Sequence, residues 1–338
     1  MQHLTPFHWL LLCGFTGLMG ALGQLLCKDA GKAMPPYVLI GVIGVMWALP
    51  PVVLMGVGPS SIGAHAVMSL GQAASLGMTV IGPVLVVGFL FWLDNLARFD
   101  AINKASYVAY VLVLLELSAM ATAFLLEVGW KALNGQSFDI GGHEVGGVTL
   151  AFVSLLFFKG LFSAKRQEVK HDRPHFTPLR WQTLCLIGGA LAAVGQLIGK
   201  DVGPVMPPYV LTGIVGFVWV ACSVVYMSLG RTWDSLRFPK TMSLGAMFGL
   251  GAAVLLPVFV AGFMFWVENL SRFDAINKAP YLGYVLVAIP VANAIFALSI
   301  ESVQKLRRGE PARIGRNELM GLLFATIAIA LFALAPAR

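Results

Sequence analysis

Long uninterrupted runs of apolar residues follow one another along almost the whole chain. A helix needs about 20 apolar residues to cross the hydrocarbon core of a bilayer. On that scale the pattern predicts ten spans, at about 8–27, 37–57, 71–93, 106–127, 146–163, 182–199, 209–229, 244–267, 281–300 and 317–335. The strands of a membrane barrel would alternate apolar and polar residues, whereas these runs are continuous, so we expect an all-α integral membrane protein with ten transmembrane helices.

The composition excludes most classes of soluble protein. Apolar residues make up 58 % of the 338 residues and charged residues only 12 %, and the mean hydropathy is +0.82. Soluble domains carry about 25 % charged residues, and disordered chains combine low hydrophobicity with high charge. The net charge of +7 therefore concerns orientation in the membrane, and we expect no nucleic-acid partner.

Two segments of the first half of the chain recur in the second half. GQLLCKDAGKAMPPYVL (23–39) matches GQLIGKDVGPVMPPYVL (195–211) at 12 of 17 positions, with an offset of 172. GFLFWLDNLARFDAINKASYVAYVL (88–112) matches GFMFWVENLSRFDAINKAPYLGYVL (262–286) with an offset of 174, and both contain RFDAINKA. The two halves therefore descend from one five-span unit.

The repeat sets the expected domain organisation. We predict a first five-helix repeat at 1–163, a basic linker at 164–181 and a second five-helix repeat at 182–338. Because five is an odd number, the second copy enters the membrane from the opposite side. The expected fold is therefore two inverted five-helix repeats, an architecture typical of secondary transporters.

The distribution of basic residues predicts the orientation. The loops that follow the odd-numbered spans hold 17 Lys and Arg residues, against 5 in the other loops and the termini. An excess of basic residues marks cytoplasmic loops. We therefore expect the linker 164–181 in the cytoplasm and both termini outside the cell membrane.

The arrangement resembles the drug/metabolite transporter superfamily, in its EamA-type ten-helix branch. Each half has a short connection between its third and fourth spans and a Glu, Glu127 or Glu301, near the end of its fourth span, followed by a Gly-rich fifth span. Pro290 matches the mid-span proline of that family, and Glu116 takes its place in the first half. The resemblance implies a transporter of the inner membrane, not an enzyme, that moves metabolites, amino acids or drugs without a bound cofactor.

Glu116 is the strongest single candidate for a functional residue. It is the only acidic residue near the middle of a predicted span. A charge at that depth costs roughly 2.5–3.5 kcal/mol on insertion scales, so the side chain should face the protein interior. It either binds substrate or a proton, or it is a hydrogen-bonded structural carboxyl.

The other candidates for substrate binding or coupling occur in pairs, one residue from each half. The paired amides should point inward, because an amide facing lipid lacks a partner. The lysines either meet an anionic substrate, form a gate ion pair or extend to lipid headgroups. The tyrosines either line the cavity or belong to an interfacial aromatic belt. These pairs are Gln24 and Gln196, Lys28 and Lys200, and Tyr107 and Tyr281.

A mixed-charge segment follows the third span of each half and predicts either a gate or a local network of salt bridges and helix caps. It comprises Asp94, Asn95, Arg98, Asp100, Asn103 and Lys104 in the first half, and Glu268, Asn269, Arg272, Asp274, Asn277 and Lys278 in the second. Prolines inside spans remove a backbone hydrogen bond and are candidate hinges. They are Pro83, Pro257 and Pro290.

These observations favour a secondary transporter of a small organic metabolite. The expected partners are the substrate, the lipid bilayer, a proton if transport is coupled, and a second copy of the chain through spans 5 and 10. Motifs for nucleotide or metal binding are absent from the sequence, so we predict no metal and no cofactor. The alternatives are a non-transporting membrane subunit or sensor, and a lipid-linked sugar flippase. Polar residues that converge on one cavity would favour the transporter, and an apolar bundle centre would favour the subunit.

Overall fold

The computed structural model describes residues 6–57, 68–135, 141–158, 177–202, 206–229, 242–278, 282–310 and 314–334. Within these ranges all regular secondary structure is helical. The helices are α1 (Pro6–Ala30), α2 (Pro36–Val57), α3 (Leu70–Ala74), α4 (Met78–Lys104), α5 (Val108–Leu133), α6 (Gly142–Phe158), α7 (Trp181–Val202), α8 (Pro208–Leu229), α9 (Leu244–Phe248), α10 (Ala252–Lys278), α11 (Leu282–Arg307) and α12 (Arg316–Leu334).

Seven helices are long and apolar enough to cross a membrane. They are α1, α2, α4, α5, α7, α8 and α10, with stretches of 19 to 27 residues. Shorter apolar stretches lie in α6, at Val145–Phe157, and in α12, at Leu319–Leu331, and α11 covers the predicted span at 281–300. The chain is thus an all-helical protein of the multi-pass membrane type, as the apolar pattern predicts.

Corresponding helices of the two halves make corresponding contacts. Helices α2 and α8 both have 22 residues, α4 and α10 both have 27, and α5 and α11 both have 26. Helix α1 packs on α10 and α11 of the second half, and α7 packs on α4 and α5 of the first half. Helices α2 and α8 pack on each other, as do α6 and α12. Each half therefore buries its surface mainly against the other half.

Glycines allow this close packing between the halves. A Cβ atom added to Gly17 of α1 would lie 2.6 Å from the Cβ of Ala292 in α11. The corresponding atom on Gly189 of α7 would lie 2.5 Å from the carbonyl oxygen of Leu115 in α5. Small residues let helix backbones approach each other in membrane proteins.

The third span of each half differs from the prediction. The expected spans at 71–93 and 244–267 are each divided into a short helix, α3 or α9, and a long helix that runs on to Lys104 or Lys278. The breaks lie next to Gly77 and Gly251, whose φ values of 70° and 73° favour glycine. The long helices continue through their charged segments because charges four residues apart pair on the helix surface.

Helices α6 and α12 pack mainly on each other, and α12 also packs on α11 and α5. Ser154 Oγ donates a hydrogen bond to the carbonyl oxygen of Gly321 at 2.9 Å. The rings of Phe157 and Phe324 have centroids 5.3 Å apart. The described parts of the fifth and tenth predicted spans therefore pack on each other within one chain.

The three candidate hinge prolines lie inside helices, as their positions in the predicted spans require. Pro83 is in α4, Pro257 in α10 and Pro290 in α11. Each lacks the backbone N–H that would bond to the preceding turn. Their role as hinges stays a prediction.

Candidate functional site

A cavity of about 110 Å³ lies between helices of both halves. Residues of α1, α2, α4, α5, α7, α8 and α10 line it. The polar part of its wall consists of Gln24, Asp94, Asn95, Arg98, Glu116, Gln196, Glu268, Asn269 and Arg272. These polar side chains come from distant parts of the sequence and meet inside a largely apolar bundle.

Most of the lining residues form pairs related by the sequence repeat. Gln24 and Gln196 are separated by the offset of 172, and the offset of 174 relates Asp94 to Glu268, Asn95 to Asn269 and Arg98 to Arg272. The sequence prediction therefore named three of these four pairs as site residues. It placed the two arginines in the mixed-charge segments, inside the shared RFDAINKA sequence, and did not name them among the site residues.

Aromatic side chains form much of the remaining wall and were not predicted. Trp47 and Trp219 contact each other, with ring centroids 4.6 Å apart and an interplanar angle of 32°. Phe91 and Phe265 also line the cavity. Both pairs obey the repeat offsets, so a search for repeated aromatic residues would have found them.

Each arginine of the cavity pairs with a carboxylate of its own helix. Arg98 Nη2 lies 3.1 Å from Asp94 Oδ2 in α4, and Arg272 Nη2 lies 3.0 Å from Glu268 Oε1 in α10. The two acidic residues are 2 % and 7 % exposed. The mixed charges of the predicted network are thus local salt bridges here, in agreement with one of the two hypotheses.

The amides between these charges are also held by their own helices. Asn95 Nδ2 donates to the carbonyl oxygen of Phe91 at 2.7 Å, and Asn269 Nδ2 donates to that of Phe265 at 2.9 Å. The suggestion that such residues cap the start of the next helix is wrong for Asp94 and Asn95, because α4 continues to Lys104. Because α4 continues from Met78 to Lys104, Asp94 also lies well inside a helix. The expectation that Glu116 is the only acidic residue near the middle of a span is therefore corrected.

Glu116 lies on the cavity wall, in α5, and is half-buried. Its side chain forms no ion pair or hydrogen bond within the described ranges. Its repeat partner is Pro290, so the cavity is asymmetric at this position. The wall therefore carries three carboxylates against two guanidinium groups.

Several polar atoms of the lining are buried and lack a hydrogen-bond partner in the part of the chain that the structure describes. They are Gln24 Oε1, Trp47 Nε1, Asp94 Oδ1, Arg98 Nε and Arg272 Nε. Buried polar atoms are nearly always hydrogen-bonded in folded proteins. Donors and acceptors left open around one cavity are what a polar ligand or water requires.

Lys28 forms a buried ion pair at one end of the bundle. Its Nζ contacts Glu301 Oε1, and the two residues are 7 % and 4 % exposed. The same Nζ donates to the carbonyl oxygens of Ala105 at 3.4 Å and Ser106 at 3.3 Å. Glu301 Oε2 accepts a hydrogen bond from the backbone N–H of Val108 at 2.8 Å.

The pair joins α1, α11 and the connection between α4 and α5, which agrees with the gate hypothesis for Lys28. The alternative, a lysine that extends to lipid headgroups, is wrong for this residue because its ammonium is buried. The side chain of Lys200 lies outside the described residues.

Tyr107 lies beside this ion pair and not on the cavity wall. It is 3 % exposed, and Lys305 Nζ lies 3.6 Å from its ring centroid. The hypothesis that Tyr107 lines the cavity is therefore wrong. Tyr281, its repeat partner, lies outside the described residues.

The remaining residues of the predicted network lie at the end of α4. Lys104 Nζ contacts Asp100 Oδ2 at 2.7 Å and the carbonyl oxygen of Thr177, just before α7, at 2.6 Å. Asn103 is 2 % exposed and packs against Gly31. These contacts fix the connection to the second half and do not reach the cavity. The corresponding side chains of Asp274, Asn277 and Lys278 lie outside the described residues.

Comparisons with known proteins add information about the fold only. No protein-family model matches the sequence, and no curated protein matches it. One solved structure, described as "Crystal structure of protein", is similar over 95 % of this chain and 94 % of its own, with a TM-score of 0.50 and 14 % sequence identity. At that identity the similarity concerns the fold and carries no function across.

Proposed function

We propose that the chain is a secondary membrane transporter of the EamA type that moves a small organic metabolite by alternating access. The observation that carries this proposal is the convergence of repeat-related polar side chains on one internal cavity. A non-transporting subunit has no need of a polar cavity inside an apolar bundle, where each such side chain is energetically expensive.

The size of the cavity favours a small cargo. At about 110 Å³ it is well below the volume of about 300–1,000 Å³ that is usual for pockets of drug-sized ligands. The lining combines hydrogen-bonding groups with five aromatic side chains. A cargo with both a polar group and a compact apolar body suits this wall.

The exchange of contacts between the halves supports the inverted repeat. The hydroxyl of Tyr37 accepts a hydrogen bond from the backbone N–H of Met242, and the hydroxyl of Tyr209 accepts one from that of Met68. The two contacts are repeat equivalents. The first joins the connections after the first and seventh predicted spans, and the second joins those after the sixth and second. Such alternation suits two units of opposite orientation and a ten-span topology.

The buried ion pair of Lys28 with Glu301 supports alternating access. It links three helical segments at one end of the bundle, so its opening would give that end access to the cavity. Transporters of inverted repeats open one end while they close the other around a fixed central site. Transport would then require this pair to break and re-form in each cycle.

The proposal is tested by transport itself. A metabolite-tolerance screen compares cells that overproduce the chain with cells that lack it. Compounds that distinguish the two strains are then measured as radiolabelled cargo in proteoliposomes that contain the purified protein. Saturable uptake, with accelerated exchange when unlabelled cargo is inside, is the expected result.

Two other results would replace the proposal by one of its alternatives. Binding of cargo without any uptake or exchange would support the subunit or sensor. Scrambling of a fluorescent lipid between the two leaflets, without transport of soluble compounds, would support the flippase.

A further inference from the structure

The charges on the cavity wall do not cancel. Asp94, Glu116 and Glu268 contribute three carboxylates, and Arg98 and Arg272 contribute two guanidinium groups. Lys and His do not occur among the residues that line this cavity in the described ranges. An uncompensated charge inside a low-dielectric bundle is strongly disfavoured. With all three carboxylates ionised, the wall therefore lacks one positive charge.

The missing charge is located at Glu116. Asp94 and Glu268 each have an arginine four residues along the same helix, at 3.1 and 3.0 Å. Glu116 has no ion pair in the part of the chain that the structure describes. Because both guanidinium groups are already paired, they offer little to an anionic cargo, whereas the carboxylate of Glu116 remains open.

The open acceptors and the aromatic rings favour the same kind of ligand. Gln24 and Asp94 are 3 % and 2 % exposed. Within the described ranges, no hydrogen-bond donor contacts Gln24 Oε1 or Asp94 Oδ1. These oxygens suit the N–H or polarised C–H groups of an ammonium ion. Trp47 and Trp219 lie on the same wall, and indole rings attract organic cations through their faces.

The other buried polar atoms of the cavity wall without a hydrogen-bond partner are donors. In the part of the chain that the structure describes, no acceptor contacts Trp47 Nε1, Arg98 Nε or Arg272 Nε. They can donate to a hydroxyl or carbonyl oxygen on the cargo without changing the charge balance. A compact cation that also carries a neutral oxygen would thus satisfy both kinds of open group.

We propose that the cavity binds a small organic cation, an amine or quaternary ammonium compound, with Glu116 as its counter-ion. This inference rests on the proposed transport function and names the class of its cargo. It requires the cation to be preferred over neutral, zwitterionic and anionic compounds of the same shape.

The test compares ligands that differ in charge and hardly in shape. Choline is the cation, its carbon analogue without the nitrogen is the neutral compound, and betaine is the zwitterion. The purified full-length protein is titrated with each compound, and binding is followed by tryptophan fluorescence and by calorimetry. Ethylamine and tetramethylammonium are included as further cations.

We expect at least one of the three cations to bind more tightly than the neutral and zwitterionic compounds, by about tenfold or more for one unmatched charge. Glu116→Gln should abolish this preference and leave the weak binding of the neutral compound unchanged. Glu116→Asp, which keeps the charge, should retain part of it. Glu310→Gln, the same chemical change at an exposed position outside the cavity, should match the parent.

The result that overturns the inference is equal or tighter binding of the neutral or zwitterionic compound, or no binding of any of the three cations. A cation preference that survives Glu116→Gln would also overturn it.

The failure of transport is a separate outcome. If choline binds and is never carried across a proteoliposome membrane, the cation site stands and the transport function falls. If a zwitterion from the tolerance screen is transported, the function stands and the cation site falls.

Discussion

Each guanidinium group in the cavity lies one helical turn from a carboxylate of its own helix. Charge-assisted hydrogen bonds of this kind are short and directional, so each pair is held together inside its own helix. Within the described ranges, Glu116 has no such ion-pair partner. Its carboxylate is therefore the one on the cavity wall that remains open to a group that enters the cavity.

The first prediction concerns Glu116→Gln. The amide keeps the size and the hydrogen bonding of the side chain, so the variant should insert and fold like the parent. Initial transport rates in proteoliposomes, measured across pH, should fall by about tenfold, the effect of about 1.4 kcal/mol, or lose their pH dependence.

Four other charged groups of α4 and α10 line the same cavity, namely Asp94, Arg98, Glu268 and Arg272. A pH dependence that survives in Glu116→Gln would point to these groups or to the buried pair of Lys28 with Glu301. If rate and pH profile both match those of the parent, Glu116 is structural. Glu310→Gln serves as the control for the chemical change.

The second prediction concerns the ion pair of Lys28 with Glu301. Lys28→Met leaves Glu301 as an unpaired buried carboxylate, and breaking a buried pair in this way costs about 3–5 kcal/mol. We expect a clear fall in the melting temperature of the detergent-solubilised protein. The double variant Lys28→Met/Glu301→Gln removes both charges and should recover most of the loss.

Lys32→Met is the matched control for this experiment. Lys32 pairs with Asp29 at 3.0 Å, and both side chains are nearly half exposed. Exposed pairs contribute about 0–1 kcal/mol, so this variant should melt close to the parent. A double variant that is less stable than Lys28→Met would show that the two residues act independently.

The sequence located the residues of the site better than it assigned their roles. The repeat singled out Gln24 and Gln196, and depth in the membrane singled out Glu116. A repeated residue need not lie near the cavity. The sequence prediction therefore grouped Tyr107 with the cavity residues, although Tyr107 packs against Lys305. Glu301 was noted only as a repeat position and as the Glu near the end of a fourth span, because an ion pair across 273 residues leaves no local signal.

At the scale of the helix, charge was a poor guide to where α4 and α10 end. A hydropathy pattern treats Asp94 and Arg98 as the beginning of a loop. Because the two residues lie four positions apart, they form an ion pair on the surface of one helix, and the helix continues past them. The predicted starts of α4 and α10 were misplaced for a different reason. Gly77 and Gly251 end the preceding short helices, but they lie within apolar stretches that the hydropathy pattern treats as one span.

The third prediction concerns the packing of α1 on α11. A methyl group at Gly17 would lie 2.6 Å from Ala292 Cβ and 2.7 Å from the backbone nitrogen of Asn293. Gly17→Ala should therefore force the helices apart, and overpacking of this kind costs about 1–3 kcal/mol. The melting temperature in detergent measures it.

Gly14→Ala provides the control on the same helix, three residues earlier. No atom within the described ranges lies within 4 Å of the added Cβ. This variant should be as stable as the parent or slightly more stable, because alanine favours the helix over glycine. Equal stability of Gly14→Ala and Gly17→Ala would contradict the packing that the structure describes.

At the scale of the whole molecule, the connections that follow the odd-numbered predicted spans meet one another. Lys28 contacts Ser106, Lys104 contacts Thr177, and Arg308 lies 3.8 Å from Asp29. These contacts join the connections after the first, third, fifth and ninth spans. Such a grouping is what a chain that crosses the membrane at every span would produce.

The last prediction is that these connections face the cytoplasm. Basic residues favour the cytoplasmic side, and the odd connections hold 17 Lys and Arg residues against 5 in the other loops and the termini. Arg98 and Arg272 lie on the cavity wall and not in loops, which removes one residue from each side of this count and leaves the excess unchanged.

Reporter fusions after Arg166 and after Arg308 should both report the cytoplasm, and a fusion after the C-terminal residue should report the outside. The buried pair of Lys28 with Glu301 would then close the cytoplasmic end of the cavity. Both internal fusions on the outside would reverse that assignment, and internal fusions on opposite sides would refute the ten-span topology.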